Sequence, residues 1–139
     1  MQNISILAFP VQDLTIARYL AAANIHFIAI DINKIQNILS ETFLSDIRNW
    51  IEGPQLIGYG QEADLDHFIR LNLLDGKISD ISSTTIQIQL KDQILDFEKF
   101  DKLNPTNPFT WIEVKASEVL GIYDFEEIEA TLLSLGVEL

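Results

Sequence analysis

The sequence predicts an α/β protein whose first eighty residues alternate strand and helix and whose second half is rich in strands. Residues 4–32 contain a short apolar run, then a helical pattern, then a second apolar run. A helical connection of this length joins two parallel strands. Two similar strand–helix units follow before residue 80, and the third strand is expected over residues 55–59. After residue 84, apolar and polar residues alternate, as in strands that have one solvated face.

The first strand–helix unit can be assigned residue by residue. Residues 4–9 form an apolar strand that is expected to end at Pro10, and Asp13 is the predicted N-cap of the following helix. Asn24 suits the left-handed position that ends a helix. The second strand carries a single charge, Asp31, near its carboxyl end, and this residue is therefore the first candidate for a functional role.

Two further helices have recognisable beginnings. One is expected to start at Ser40 as its N-cap and to stop at Gly53-Pro54. The last helix is expected to open at Asp124, which together with Glu127 resembles a capping box. The predicted buried face of the earlier helix consists of Phe43, Leu44, Ile47, Trp50 and Ile51.

The strand–helix repeat breaks in the middle of the chain. Only Ser82 and Ser83 separate the fourth strand, which is expected to end at Ile81, from the alternating residues 84–90. Two residues cannot carry a parallel crossover. Either one long bent strand runs through, or the chain turns back antiparallel. A short hairpin turn at residues 91–93 and a second alternation over residues 94–97 follow, then a polar loop over residues 99–108 and a strand over residues 109–114.

Composition limits the classes of partner. The chain has 139 residues, of which 47% are hydrophobic, and no linker-like stretch, so we expect one domain over residues 1–139. Nine basic residues are scattered among twenty-one acidic ones, and the net charge of −12 argues against nucleic acid and anionic membranes as partners. The absence of cysteine excludes disulfides and thiolate chemistry. Because no signal-like segment opens the sequence, we expect a cytoplasmic protein.

The first eighty residues resemble the opening of a phosphoribosylanthranilate isomerase, the (β/α)8-barrel enzyme of tryptophan biosynthesis. The likeness lies in ILAFPVQDLTIARYLAAANIHFIAI, PQLIGYG, DLDHFIRLN and LLDGKISDIS, which match the family's pattern of strands, helices and turns in order and spacing. This resemblance implies a TIM-barrel-like parallel sheet. Since such a barrel takes roughly 200 to 250 residues, we expect a partial or remodelled one with a β-rich C-terminal half. The alternative is an open flavodoxin-like three-layer sandwich.

The resemblance does not extend to the catalytic residues. The first strand of the family ends in a Lys-x-Cys-Gly motif whose cysteine is the general acid, and Leu7, Phe9 and Pro10 fall on those positions. Phenylalanine cannot transfer a proton. We therefore expect a protein without isomerase activity that acts as a module binding a small-molecule ligand or another protein. An incomplete barrel leaves sheet edges exposed, so we also expect a homodimer that covers them.

Three carboxylates are the candidate catalytic residues. Chemistry in parallel α/β sheets takes place at the carboxyl ends of the strands. Asp31 follows the second strand, Asp80 follows the fourth, and Glu113 lies within WIEVK. If their side chains converge, they can act as general acid and base on a small metabolite or bind magnesium through oxygen. If they do not, each is a cap or a solvated edge charge, and we expect no bound cofactor.

Overall fold

The computed structural model describes residues 4–34, 37–101, 103, 107–114 and 125–137. These ranges contain seven strands, four α-helices and a short 3-10 turn at Ile32–Lys34. The strands are β1 (Ser5–Val11), β2 (Phe27–Asp31), β3 (Gln55–Tyr59), β4 (Gly76–Ile81), β5 (Thr85–Leu90), β6 (Ile94–Lys99) and β7 (Phe109–Glu113). The helices are α1 (Leu14–Ala22), α2 (Asn37–Trp50), α3 (Glu62–Arg70) and α4 (Phe125–Ser134).

The strands close into a barrel in the order in which they occur in the chain. Strands β1 to β4 run parallel, β5 is antiparallel to both of its neighbours, and β6 and β7 run parallel to each other and to β1. The closing pair joins β7 to β1, with Ser5 opposite Phe109 and Phe9 opposite Glu113. Six strands therefore share one direction.

The predicted fold class is wrong. The sheet is neither a TIM-barrel-like parallel sheet nor an open flavodoxin-like sandwich, because it is a closed barrel of mixed strand direction. A parallel crossover needs a dozen or more residues, whereas the hairpins on either side of β5 use only residues 82–84 and 91–93. These short hairpins supply the strands that close the barrel. The argument for a homodimer assumed uncovered sheet edges, and a closed sheet removes that argument.

Strand residues alternate between the barrel interior and a layer beneath the helices. On the outer face, Ile28 and Ile30 of β2 pack in one cluster with Leu20 of α1 and Leu44 of α2. Every residue of β2 is buried, which explains its continuous apolar sequence. The buried cluster inside the barrel consists of Leu7, Phe27, Ala29, Ile57, Ile78, Ile86, Ile88, Leu90, Phe97 and Trp111.

The outer face of β4, β5 and β6 is polar. Ser79 Oγ donates a hydrogen bond to Gln87 Oε1, and Gln87 Nε2 donates one to Asp96 Oδ1, each over 3.0 Å. On the opposite face of β5, Ile86 and Ile88 are buried inside the barrel. The alternation after residue 84 therefore belongs to an antiparallel return of the chain, one of the two alternatives that the sequence left open.

The first helix agrees with the prediction, but the strand before it does not. Asp13 Oδ1 accepts a hydrogen bond from the N–H of Ile16 over 3.0 Å, and Asn24 has a φ of 61°. Strand β1, however, continues through Pro10 to Val11. Its pairing register with β2 shifts across this last segment, so the strand accommodates a residue that has no N–H to donate.

Helix α2 begins earlier and buries less than predicted. Its first residue is Asn37, so Ser40 lies inside the helix and is not its N-cap. Trp50, assigned to the buried face, is 65% exposed, and the guanidinium of Arg18 lies 5.5 Å from the centre of its ring. The buried face of the helix ends one turn before Trp50. The predicted N-cap at Asp124 lies outside the described residues.

Candidate functional site

Six strands end at the same end of the barrel, which we call the carboxyl rim. It is formed by the last residues of β1 to β4, β6 and β7, together with the turn that leads into β5. Asp31, Asp80 and Glu113 all belong to strands that end at this rim. The direction of the strands therefore places the three predicted carboxylates at the same end of the molecule, and the directions of their side chains decide whether they meet.

Asp31 lies on the inward face of β2. It follows Phe27 and Ala29 at two-residue steps, and both of those residues belong to the interior cluster. The residue is 8% exposed, and its Oδ1 accepts a hydrogen bond from the N–H of Asn33 over 3.1 Å. This bond stabilises the turn that follows β2. Asp31 thus binds the turn that follows β2, and its catalytic role stays a prediction.

Asp80 points away from the interior. The pairing of β4 with β5 is irregular between Ile78 and Asp80, and the irregularity sets Asp80 opposite Gln87 on the outer polar face. The Asp80 side chain is exposed and accepts a hydrogen bond from the N–H of Ile81 over 3.0 Å. Within the described part of the chain, no group of three or more His, Cys, Asp or Glu side chains could hold a metal ion. The three carboxylates are not gathered into one metal centre.

Glu113 forms an ion pair at the rim with a residue that the sequence analysis did not select. Lys99 Nζ lies 2.9 Å from Glu113 Oε1 and 5.3 Å from the centre of the Trp111 ring. Lys99 continues the inward face of β6 after Leu95 and Phe97. The sequence predicts a polar loop at Lys99, although the two-residue period of Leu95 and Phe97 already extends to it.

Aromatic rings fill the barrel below the rim. The ring centre of Phe9 lies 5.4 Å from that of Tyr59 and 6.4 Å from that of Trp111, and both contacts are edge-on. Trp111 Nε1 donates a hydrogen bond to the carbonyl oxygen of Thr84 over 3.0 Å. Phe9 is thus a packing residue inside the barrel. Its neighbours are aromatic at the position where the resemblance would require a general acid.

A pocket of about 140 Å³ opens beside the Lys99–Glu113 ion pair, and we call it the rim pocket. It lies where the ends of β6 and β7 meet α4. Charged and apolar groups both contribute to its wall, which makes it suitable for a small ligand that has both kinds of surface. The rim pocket is lined by Lys99, Phe100, Ile112, Glu113, Glu127, Ile128 and Thr131.

Comparison of this chain with protein-family models, with curated proteins and with solved structures gives no match. The resemblance to phosphoribosylanthranilate isomerases therefore stays a prediction from the sequence. Among the residues described, no helix is both long enough and apolar enough to cross a membrane. The closed, mixed seven-stranded barrel and its rim pocket are the features from which a function must be argued.

Proposed function

We propose that this protein binds a small zwitterion, an α-amino acid with a short side chain, in the rim pocket. The observation that carries the proposal is the ion pair of Lys99 with Glu113 on the pocket wall. Glu127 adds a second carboxylate to the lining, and the remaining surface is largely apolar. One ammonium and two carboxylates beside apolar surface complement a ligand that carries both charges and a hydrocarbon side chain.

The Lys99–Glu113 pair can open to admit such a ligand. The two side chains are 41% and 37% exposed, and an ion pair in this environment is worth only about 0 to 1 kcal/mol. When a zwitterion enters, its carboxylate accepts hydrogen bonds from Lys99 and its ammonium donates to Glu113, so two ion pairs replace one. Hydrogen bonds between charged groups are roughly twice as strong as neutral ones.

The charges in the pocket disfavour a phosphorylated ligand. Among the described residues of the lining, the cation is Lys99, and the carboxylate of Glu113 is already paired with it. Removing a dianion from water into such surroundings is unfavourable. Together with the aromatic side chain of Phe9 in place of an acid, this supports our expectation that the protein lacks isomerase activity.

The volume of the rim pocket restricts the ligand's side chain. A liquid water molecule occupies roughly 30 Å³, so a pocket of about 140 Å³ replaces only a few waters. Phe100, Ile112 and Ile128 provide the apolar surface against which a short aliphatic side chain would pack. Alanine and valine are therefore expected to bind better than phenylalanine or tryptophan.

Titration calorimetry with L-valine tests the proposal, with two analogues that each lack one charge. Isobutylamine lacks the carboxylate and isovalerate lacks the ammonium. Each is expected to bind at least about tenfold more weakly than valine, because one set of charge-assisted bonds is lost. If isobutylamine binds as tightly as valine, or if alanine and valine give no saturable heat, the proposal is wrong.

Matched variants locate the site. Lys99→Gln and Glu113→Gln should each weaken valine binding by about tenfold. Glu98→Gln changes an exposed carboxylate beside Lys99 on the outer face of β6, and Lys91→Gln changes an exposed lysine at the other end of the barrel. Both controls should leave valine binding unchanged. Equal weakening by the controls would show a general charge effect and would contradict a site at the rim pocket.

A further inference from the structure

A second and larger pocket lies at the opposite end of the barrel, and we call it the basal pocket. It has a volume of about 680 Å³, which is within the range of about 300 to 1,000 Å³ that is typical of ligand sites. Its wall is formed by the end of α3, the starts of β3 and β4, and the hairpin turn between β5 and β6. It is separate from the rim pocket, with which it shares no lining residue.

Two of the carboxylates in the basal pocket already have cationic partners. Asp66 Oδ1 lies 3.0 Å from Lys77 Nζ. Asp75 uses both of its oxygens: Oδ1 pairs with Arg48 over 2.8 Å, and Oδ2 accepts a hydrogen bond from the N–H of Leu56 over 2.8 Å. These two negative charges are neutralised within the fold.

Two cations in the same wall have no such partner. Arg70 follows Asp66 by four residues on α3, the spacing at which ion pairs form on a helix, but Asp66 is directed to Lys77. Lys91 stands in the exposed hairpin turn. Neither the Arg70 nor the Lys91 side chain makes a hydrogen bond or ion pair with any residue in the described ranges. The described lining carries three cations and three carboxylates, so its formal charge is zero, and Arg70 and Lys91 are the two cations that no described carboxylate binds.

The rest of the wall supplies groups that bind polar ligands. Carboxamide side chains both donate and accept hydrogen bonds, so they recognise hydroxyl groups and the oxygens of acids. Asp92 is the remaining carboxylate in the lining and lies in the exposed turn beside Lys91. The carboxamides in the lining are Gln55, Asn72, Gln89 and Gln93.

We infer that the basal pocket binds a small organic anion with two negative charges and additional hydrogen-bonding groups, either a phosphate monoester or a dicarboxylate. Arg70 and Lys91 bind the charged groups, and the carboxamides bind the hydroxyl groups. Arginine is well suited to this role because its planar guanidinium donates two parallel hydrogen bonds to a phosphate or a carboxylate.

Amide chemical shifts measured by NMR at constant ionic strength test this inference. The probes are glycerol 3-phosphate and malate, with uncharged glycerol as the reference. One or both anions should give saturable shifts at residues 66–77 and 89–93 at concentrations up to about 10 mM. Binding of one anion alone identifies the class of the charged group. No saturable shift with either anion, shifts confined to other parts of the barrel, or equal binding of glycerol would overturn the inference.

Single substitutions distinguish a specific anion site in the basal pocket from a general attraction of anions to basic residues. Arg70→Gln and Lys91→Gln remove exposed charges whose side chains make no hydrogen bond or ion pair within the described structure, so the fold should be little affected. Each should weaken anion binding by about tenfold. The matched control is Arg18→Gln on α1, an exposed arginine beside Trp50 that should leave the affinity unchanged. Equal weakening by Arg18→Gln would contradict a specific site at the basal pocket.

Discussion

His26 Nδ1 accepts a hydrogen bond from the backbone N–H of Ile6 over 3.1 Å. His26 directly precedes β2, and Ile6 lies in β1, so the imidazole extends the connection between these two strands beyond their backbone pairing. Nδ1 is therefore the nitrogen of this imidazole that acts as the acceptor. His26 is otherwise an exposed residue.

Replacing His26 should destabilise the barrel through the N–H of Ile6. His26→Ala removes the acceptor of a partly buried N–H, which should lower the free energy of unfolding by about 1 kcal/mol. His26→Asn offers an oxygen in place of Nδ1 and should recover part of the loss. Urea denaturation measures both variants, and His67→Ala, which removes the other exposed histidine, is the control. An equal loss in His26→Ala and His67→Ala would exclude a specific role for the hydrogen bond.

Gly76 is required where the antiparallel part of the barrel begins. A Cβ at this position would lie 2.5 Å from the backbone oxygen of Gln89, which is fixed in the neighbouring strand. Gly76→Ala should therefore lower the free energy of unfolding by about 3 kcal/mol, because the backbone of β4 or β5 must move. In Gly60→Ala the new Cβ would meet its nearest atom, Ile32 Cβ, at 3.4 Å, and the loss should be far smaller. Similar melting temperatures for the two variants would contradict this explanation.

Lys77 should make the stability of the protein depend on alkaline pH. Lys77 donates hydrogen bonds to Asp66 and Glu62, and these bonds raise its pKa from the ordinary value of 10.5. A group whose pKa is raised by folding stabilises the folded state fully below its unfolded pKa, and this contribution is lost as the pH rises through the folded pKa. The expected window therefore lies above pH 10.5.

The variant Lys77→Met tests this dependence. Its free energy of unfolding should be lower than that of the unchanged protein by about 1 kcal/mol near neutral pH, since the partners Asp66 and Glu62 are themselves partly or largely exposed. The difference should shrink above pH 10.5. Lys91→Met, which changes a lysine without a partner in the described structure, should show no such trend. A difference that is constant from neutral to strongly alkaline pH would contradict the predicted coupling.

Local features of the fold could be predicted because they depend on neighbouring residues. The third strand has the predicted bounds, Gln55–Tyr59, and Asn24 has the predicted left-handed conformation. The closure of the barrel depends instead on pairs such as Ser5 with Phe109, which are about a hundred residues apart. Hydrophobic periodicity identifies a strand but not its partner, so the same pattern was compatible with a parallel sheet.

The sequence predicted the candidate site only in part, as it did the fold. Glu113 was selected because it lies within WIEVK, near the carboxyl end of a predicted strand, and the structure places it at the rim pocket. Lys99 was missed because β6 was expected to end at Phe97, although it ends at Lys99. Asp80 was selected by its position in the chain, but the irregularity in β4 turns its side chain outward. Such an irregularity reverses the face of a strand without leaving a clear pattern in the sequence.

Substitutions of the two tryptophans test whether Trp111, unlike Trp50, stabilises the barrel. Trp111 is 5% exposed, its Nε1 donates to the carbonyl oxygen of Thr84, and Lys99 lies over its ring. Trp111→Phe removes the hydrogen bond and leaves a small void, so the free energy of unfolding should fall by about 2 kcal/mol. Trp50→Phe changes an exposed residue and should alter it by less than about 0.5 kcal/mol.

Fluorescence of the same variants gives a second measurement. In Trp50→Phe only Trp111 remains, and its emission should be that of a buried indole which moves to longer wavelength on unfolding. In Trp111→Phe only the exposed Trp50 remains, and its emission should change little. If both variants unfold at the same urea concentration, or if Trp111 emits like a solvated indole, then Trp111 does not anchor β7 to the turn that leads into β5.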